Sequence, residues 1–134
     1  MIDHIGIGVA DFARAKRFYA AALAPIGYAI VMEVPASVTG GADATGFGEE
    51  GKPDFWIGSE KERTTPPAHI AFRVTDRKTV DAFYAAALAA GGKDNGAPGL
   101  RTHYHENYYA AFVRDPEGHN MEVVCHTESA DGWH

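Results

Sequence analysis

Displaced by 65 residues, this chain of 134 overlays on itself, and that duplication limits the folds open to it more than anything else in the sequence. His4-Ile5-Gly6-Ile7-Gly8-Val9-Ala10-Asp11 falls on His69-Ile70-Ala71-Phe72-Arg73-Val74-Thr75-Asp76, and Phe18-Tyr19-Ala20-Ala21-Ala22-Leu23-Ala24 falls on Phe83-Tyr84-Ala85-Ala86-Ala87-Leu88-Ala89. With Gly27 on Gly92 there are 12 identities over 24 aligned positions. Alanine-rich helices inflate such scores, but coincidences of His, Asp, Phe-Tyr and Gly do not come from composition. The chain holds two copies of one supersecondary unit.

Each copy opens with strict alternation, the period of a strand. Ile5, Ile7 and Val9 oppose His4, Gly6 and Gly8, and Ile70, Phe72 and Val74 oppose His69, Ala71 and Arg73. Asp11 and Asp76 are of the type that caps helix N-termini, and helical spacing follows: Phe12, Ala15, Tyr19, Ala22 and Leu23, then Val80, Phe83, Tyr84, Ala87 and Leu88. Gly27 and Gly91-Gly92 end the helices. Copy one then predicts strands at 28–34, 44–48 and 54–58, the last two joined by a turn from Glu49 to Pro53. Copy two predicts strands at 93–95, 108–113 and 120–125, with the turn Asp115-Pro116-Glu117-Gly118. The expected fold is α+β: two tandem βαβββ modules, helices outside, forming a curved, cup-shaped mixed sheet whose free face carries the histidines. Residues 1–134 then form a single domain, with module 1 at about 1–58, a polar linker at 59–67 and module 2 at about 68–126.

Composition matters here for what it excludes. The formal net charge is −6 with no run of lysine or arginine, which excludes a nucleic-acid surface built on phosphate neutralisation. No apolar run approaches the ~20 residues of a membrane span, and Met1-Ile2-Asp3-His4 lacks the basic start of a signal peptide. The one cysteine, Cys125, has no partner for an internal bridge, so a reducing cytoplasm is the expected setting. A chain of this length buries roughly two-thirds of its unfolded surface, enough for a core and a small-molecule pocket.

The free face holds the chemistry. His4 has Gly6 and Gly8 beside it and His69 has Ala71, so small neighbours leave room above both imidazoles. In the last strand Glu122, Val124 and His126 share one side, opposite Met121, Val123 and Cys125. A carboxylate within so apolar a strand costs several kcal/mol if buried unpaired, so Glu122 must meet solvent, a cation or strong donors. His4, His69 and Glu122 thus make a two-histidine, one-carboxylate set of metal-ligand type.

These segments, with the paired Phe-Tyr helices and Phe112-Val113-Arg114-Asp115-Pro116-Glu117-Gly118-His119-Asn120-Met121-Glu122, resemble the vicinal oxygen chelate superfamily of glyoxalase I, bleomycin and fosfomycin resistance proteins and extradiol dioxygenases. The resemblance runs over essentially the whole chain. It implies a cup of paired modules around one divalent metal ion per chain held by His4, His69 and Glu122. It also implies a small-molecule substrate that chelates the metal through vicinal oxygens, and a homodimer. Nitrogen and oxygen ligands admit zinc, iron(II), manganese or nickel. Glyoxalase I resembles a four-ligand site, but at offset 65 from Glu122 stands Ile57, flanked by Trp56. Extradiol dioxygenases carry a tyrosine where this chain has Phe112, with Tyr108 and Tyr109 close by; His105 matches their histidine. Arg73 is the one evident cation for an anionic substrate of the fosfomycin type.

The expected function is therefore a glyoxalase-like, divalent-metal-dependent enzyme of lyase or isomerase type. Its alternatives are an extradiol-type dioxygenase or a metal-free antibiotic- or metabolite-binding protein of bleomycin-resistance type. Glu122, His105 and Tyr109 are the expected catalytic residues, His105 as a general acid or base. Trp56, Arg73, His103 and Tyr108 are expected to contact substrate. Val38 to Asp43 reads as a loop at the pocket mouth, Cys125 as a buried thiol, and His126 and His134 as solvent-exposed tail residues.

Overall fold

A computed structural model describes residues 1–59 and 63–127. Module 1 runs β1 (Ile5–Gly8), α1 (Phe12–Ala22), a 3-10 turn (Ala24–Ile26), β2 (Ala29–Val34), a short α2 (Ala36–Thr39), β3 (Ala44–Glu49) and β4 (Lys52–Gly58). Module 2 runs β5 (His69–Val74), α3 (Arg77–Ala89), β6 (Lys93–Asp94), β7 (Gly99–Leu100), β8 (Tyr109–Arg114) and β9 (Asn120–Cys125). The doubled βαβββ order is present, with one unpredicted two-residue strand, β7, added in module 2. The strands form two sheets, β1-β4-β3-β2 and β5-β9-β8-β6 with β7 beside β8. In both, the first strand pairs in parallel with the last.

Both helices start where the sequence predicts. The Asp11 side chain accepts from the Arg14 amide and that of Asp76 from the Thr79 amide, each satisfying a donor the first turn leaves free. Gly27, at φ 91°, reverses the chain after Pro25 in a conformation open to glycine at little steric cost. The turn predicted between Glu49 and Pro53 is tighter than expected. Glu50 and Gly51 both have positive φ and form a two-residue hairpin, so β4 begins at Lys52. Pro53 is tolerated because it sits at a register shift. The first part of the expected mouth loop is the turn of helix α2, and the linker's residues 60–62 and His134 lie outside the described residues.

One face of each sheet enters a common core. Tyr19 packs edge-on against Phe55, Phe55 against Phe72, and Tyr28 against Phe72, so the modules meet through their inner faces. Helices α1 and α3 also touch. Two polar ties cross the seam. The buried Tyr19 hydroxyl donates to Asp115, and the Glu117 carboxylate accepts from the amides of Ala10 and Asp11 at 2.8 and 2.7 Å. The outer faces of both sheets, which carry His4 and Glu122, point away from this core. No described helix is long and apolar enough to cross a membrane.

Candidate functional site

On the outer face of module 2, Glu122 lies between Ala71 of β5 and Phe112 of β8. Its residue is 2% exposed, although its strand faces outward. It is covered by its own ligands. His69 Nε2 donates to Oε1 at 2.9 Å, and the Tyr108 hydroxyl donates to Oε2 from the segment just before β8. No lysine or arginine neutralises this carboxylate among the described residues. A buried anion held by one imidazole and one phenol is poised for a cation. Burial, then the bond to Glu122 and its charge, hold the Tyr108 phenol well above the usual range, so it stays a donor.

Beside this pair the rings continue outward. His105 stacks on His126 at 4.7 Å, with Nε2 of the first 2.5 Å from Nδ1 of the second, and both pack edge-on against Tyr108. His126 is exposed as expected but is no free tail residue. The alternation that puts it on Glu122's side of β9 was its signal. Burial, then the charges of His105 and Arg73, depress its pKa below the ordinary histidine value. His103 stacks on Tyr104, which packs against Tyr108, so residues 103–108 form an aromatic cover for Glu122. Arg73, outward on β5, contributes charge to this cluster.

Tyr109 is placed elsewhere. It opposes Cys125, and its hydroxyl donates to Asp81 of α3 beneath the Arg77 guanidinium. One step along the strand turns Tyr109 toward the helix, so Tyr108 is the tyrosine that reaches Glu122. Cys125 is buried as predicted, its sulfur 2.8 Å from the Thr127 hydroxyl.

The module 1 face differs. The strand register pairs Gly6 with Trp56 and Trp56 with Gly46, whereas in module 2 Ala71 pairs with Glu122 and Glu122 with Phe112. Since Gly6 corresponds to Ala71, the counterpart of Glu122 is Trp56. The offset of 65 that selects Ile57 holds for the first strand and helix, and unequal loops move the last strand by one residue. Ile57 is a core residue. A Cβ on Gly46 would come within 3.0 Å of the Trp56 ring, so glycine there lets the indole lie across the sheet. Trp56, His4, Gly6 and Gly8 line a broad cavity of about 570 Å³.

His4 donates from Nδ1 to Asp3 at 2.7 Å. With His69 it borders a groove of about 430 Å³, yet among the described residues no three His, Cys, Asp or Glu side chains gather as metal ligands. His69 and Glu122 meet within one chain; His4 does not join them. Asp54, near His4, is engaged by Lys52 at 2.7 Å and by the Tyr28 hydroxyl at 2.6 Å, which keep its carboxyl below the usual range.

Two βαβββ-type modules, each with its first strand parallel to its last, define the fold class. The family model for the Glyoxalase/Bleomycin resistance protein/Dioxygenase superfamily matches residues 1–123, and the chain belongs to that superfamily. Among solved structures it is similar to a glyoxalase/bleomycin resistance protein from Albidiferax ferrireducens (TM-score 0.73, 25% identity, 92% of this chain and 96% of that one). It also resembles in fold a Zea mays glyoxalase I variant (TM-score 0.71, 21% identity), spanning 46% of that chain for 93% of its own. A Burkholderia phytofirmans enzyme of the same family follows at TM-score 0.65 and 18% identity, covering 93% of this chain and 98% of that one. No curated protein gives a sequence match.

Proposed function

We propose that the chain is a glyoxalase-like, metal-dependent enzyme of lyase or isomerase type whose site is completed by a second copy. The observation that carries this reading is Glu122, a buried carboxylate aimed outward on a sheet face, whose one ion-pair partner among the described residues is His69. The donors fit a divalent cation: one imidazole nitrogen and one carboxylate oxygen already converge. The third donor, His4, is on the other module's outer face, and a homodimer pairing unlike modules supplies it without repacking either core. Bound there by His69, Glu122 and the second copy's His4, the cation would act as a Lewis acid toward vicinal oxygens of a small substrate. Zinc, iron(II), manganese and nickel all suit the donors.

The chain's own residues divide the remaining work. Tyr108 orients Glu122 through Oε2. His105 takes or returns a proton at its imidazole, with His126 as the partner across 2.5 Å. Arg73 attracts an anionic substrate group, while His103 and Tyr104 shield the site from water. Trp56, facing across from the second copy, offers a flat surface for an apolar or aromatic part of the substrate.

Elemental analysis of anaerobically purified protein beside His69→Ala tests the metal. One divalent ion per chain, lost in the variant, is expected. Mixing His4→Ala with His69→Ala then tests the architecture. Each alone binds no metal, but the mixed dimer regains one site, since His69 and Glu122 of the first variant meet His4 of the second. No recovery on mixing would refute the shared site. If the purified protein holds no metal and takes none up, the Trp56 surface favours the second reading, a metal-free protein that binds an aromatic metabolite or antibiotic.

A further inference from the structure

A third cavity, of about 490 Å³, opens at the seam between the modules and plays no part in the chemistry above. Three cations border it from distant parts of the sequence: Arg14 of α1, Lys93 of β6 and Arg114 of β8. Their placement is unfavourable on its own. Lys93 stands directly opposite Arg114 in the antiparallel β6–β8 pair, a position where like charges destabilise a sheet. Arg14 lies in the first turn of α1, the end at which the helix dipole disfavours a cation.

The nearby carboxylates, Asp115 in the cavity wall among them, are engaged by other donors rather than paired with these cations. Asp115 accepts from the Tyr19 hydroxyl and from the amides of Glu117 and His119. Glu117 accepts from the amides of Ala10 and Asp11. Arg14 has only a loose contact with Asp11, Nε to Oδ2 at 3.7 Å, and among the described residues Lys93 and Arg114 form no ion pair. The C-terminus of α3 is a weak substitute, because the carbonyls of Ala86, Ala87 and Leu88 already accept from Ala90, Gly92 and Gly91. In a chain with 18 acidic and 12 basic residues, three such cations left around one cavity stand out. The Arg114 guanidinium is held in place by its bond to the Gly118 carbonyl at 2.9 Å, and that of Arg14 reaches the Pro116 carbonyl at 3.5 Å.

We propose that this cavity is a binding site for a phosphate-bearing small molecule, most strongly one carrying a diphosphate. Guanidinium forks match phosphate oxygens, and three positive charges suit a multiply charged anion better than a monocarboxylate. The site is independent of the metal reading, so its test uses metal-free protein.

Inorganic pyrophosphate is titrated calorimetrically into the chelator-treated full chain at fixed ionic strength, beside Lys93→Gln and Arg114→Gln. The expected result is saturable binding that weakens with added sodium chloride and is about tenfold weaker in each variant, the effect of one charge-assisted contact. Amide resonances of Gly91 and Gly118 should move, and those of Gly6 and Ala71 should not. Orthophosphate and a sugar phosphate, run as separate arms, tell free phosphate from a phosphate ester as the source. Without ligand, Lys93→Gln should melt about 1–2 °C higher than the parent, as relief of the opposed charges requires. No saturable binding, binding that both variants retain in full, or a lower melting point for Lys93→Gln would each overturn the proposal.

Discussion

The same three-strand row occurs once in each module, as Gly6–Trp56–Gly46 and as Ala71–Glu122–Phe112. The backbone is repeated, but the contents are opposite. In module 1 Gly46 makes way for an indole lying across the sheet. In module 2 a carboxylate is buried under an imidazole and a phenol. Duplication supplied the scaffold, and the central residue of each row decides what its half contributes: a surface for contact in one, a charged group for chemistry in the other.

The largest expected effect lies on the module 2 side. Glu122→Gln keeps the volume and both neighbours but removes the charge. Its expected effect on metal affinity is at least about a hundredfold, the upper end for losing even an outer-shell partner, read by competition with a chelator. On the module 1 side, Gly46→Val puts a Cβ 2.8 Å from that of Pro53 and 3.0 Å from the Trp56 ring. It should cost about 1–3 kcal/mol in denaturant unfolding and displace the indole, seen as a change in its fluorescence. Metal content should remain.

Smaller changes sharpen the picture. Tyr108→Phe leaves Oε2 of Glu122 without its donor and should cost about 1–2 kcal/mol in the metal-free protein. Because its raised phenol pKa favours the protonated form, Tyr108's share of stability is present below about pH 10 and is lost as pH rises above it. The smallest effect is that of His126. Its pKa is lowered in the fold, so its contribution is present above about pH 6.5 and fades as pH falls through the depressed value. Melting curves from pH 8 to pH 5 should decline less for His126→Gln than for the parent; an identical decline would remove His126 from the cluster.

What could be read from the sequence was local and periodic. The 65-residue repeat, the alternation from His4 and from His69, and the caps at Asp11 and Asp76 gave strands and helices that the fold contains. The pairing of His69 with Glu122 follows from two adjacent parallel strands and was within reach. The counterpart of Glu122 was not, because it depends on loop lengths that differ between copies by one residue. The choice of Tyr108 over Tyr109 turned on where β8 begins. That His4 does not join His69 and Glu122 depends on how the modules pack, which no periodicity encodes. The cationic seam was hidden for the same reason: residues 14, 93 and 114 are brought together only by the tertiary fold.

The tie at Asp115 and Glu117 runs in one direction. Module 2 offers carboxylates to the Tyr19 hydroxyl and to the amides opening α1, while the corresponding positions of module 1, one residue out of the 65-residue offset like the strands around them, are Glu49 and Gly51 in the β3–β4 hairpin. The halves are therefore keyed, like plug and socket. If the chain were cut in its linker, two copies of the first half would have nothing to latch them together, and the halves should reassemble only as an unlike pair.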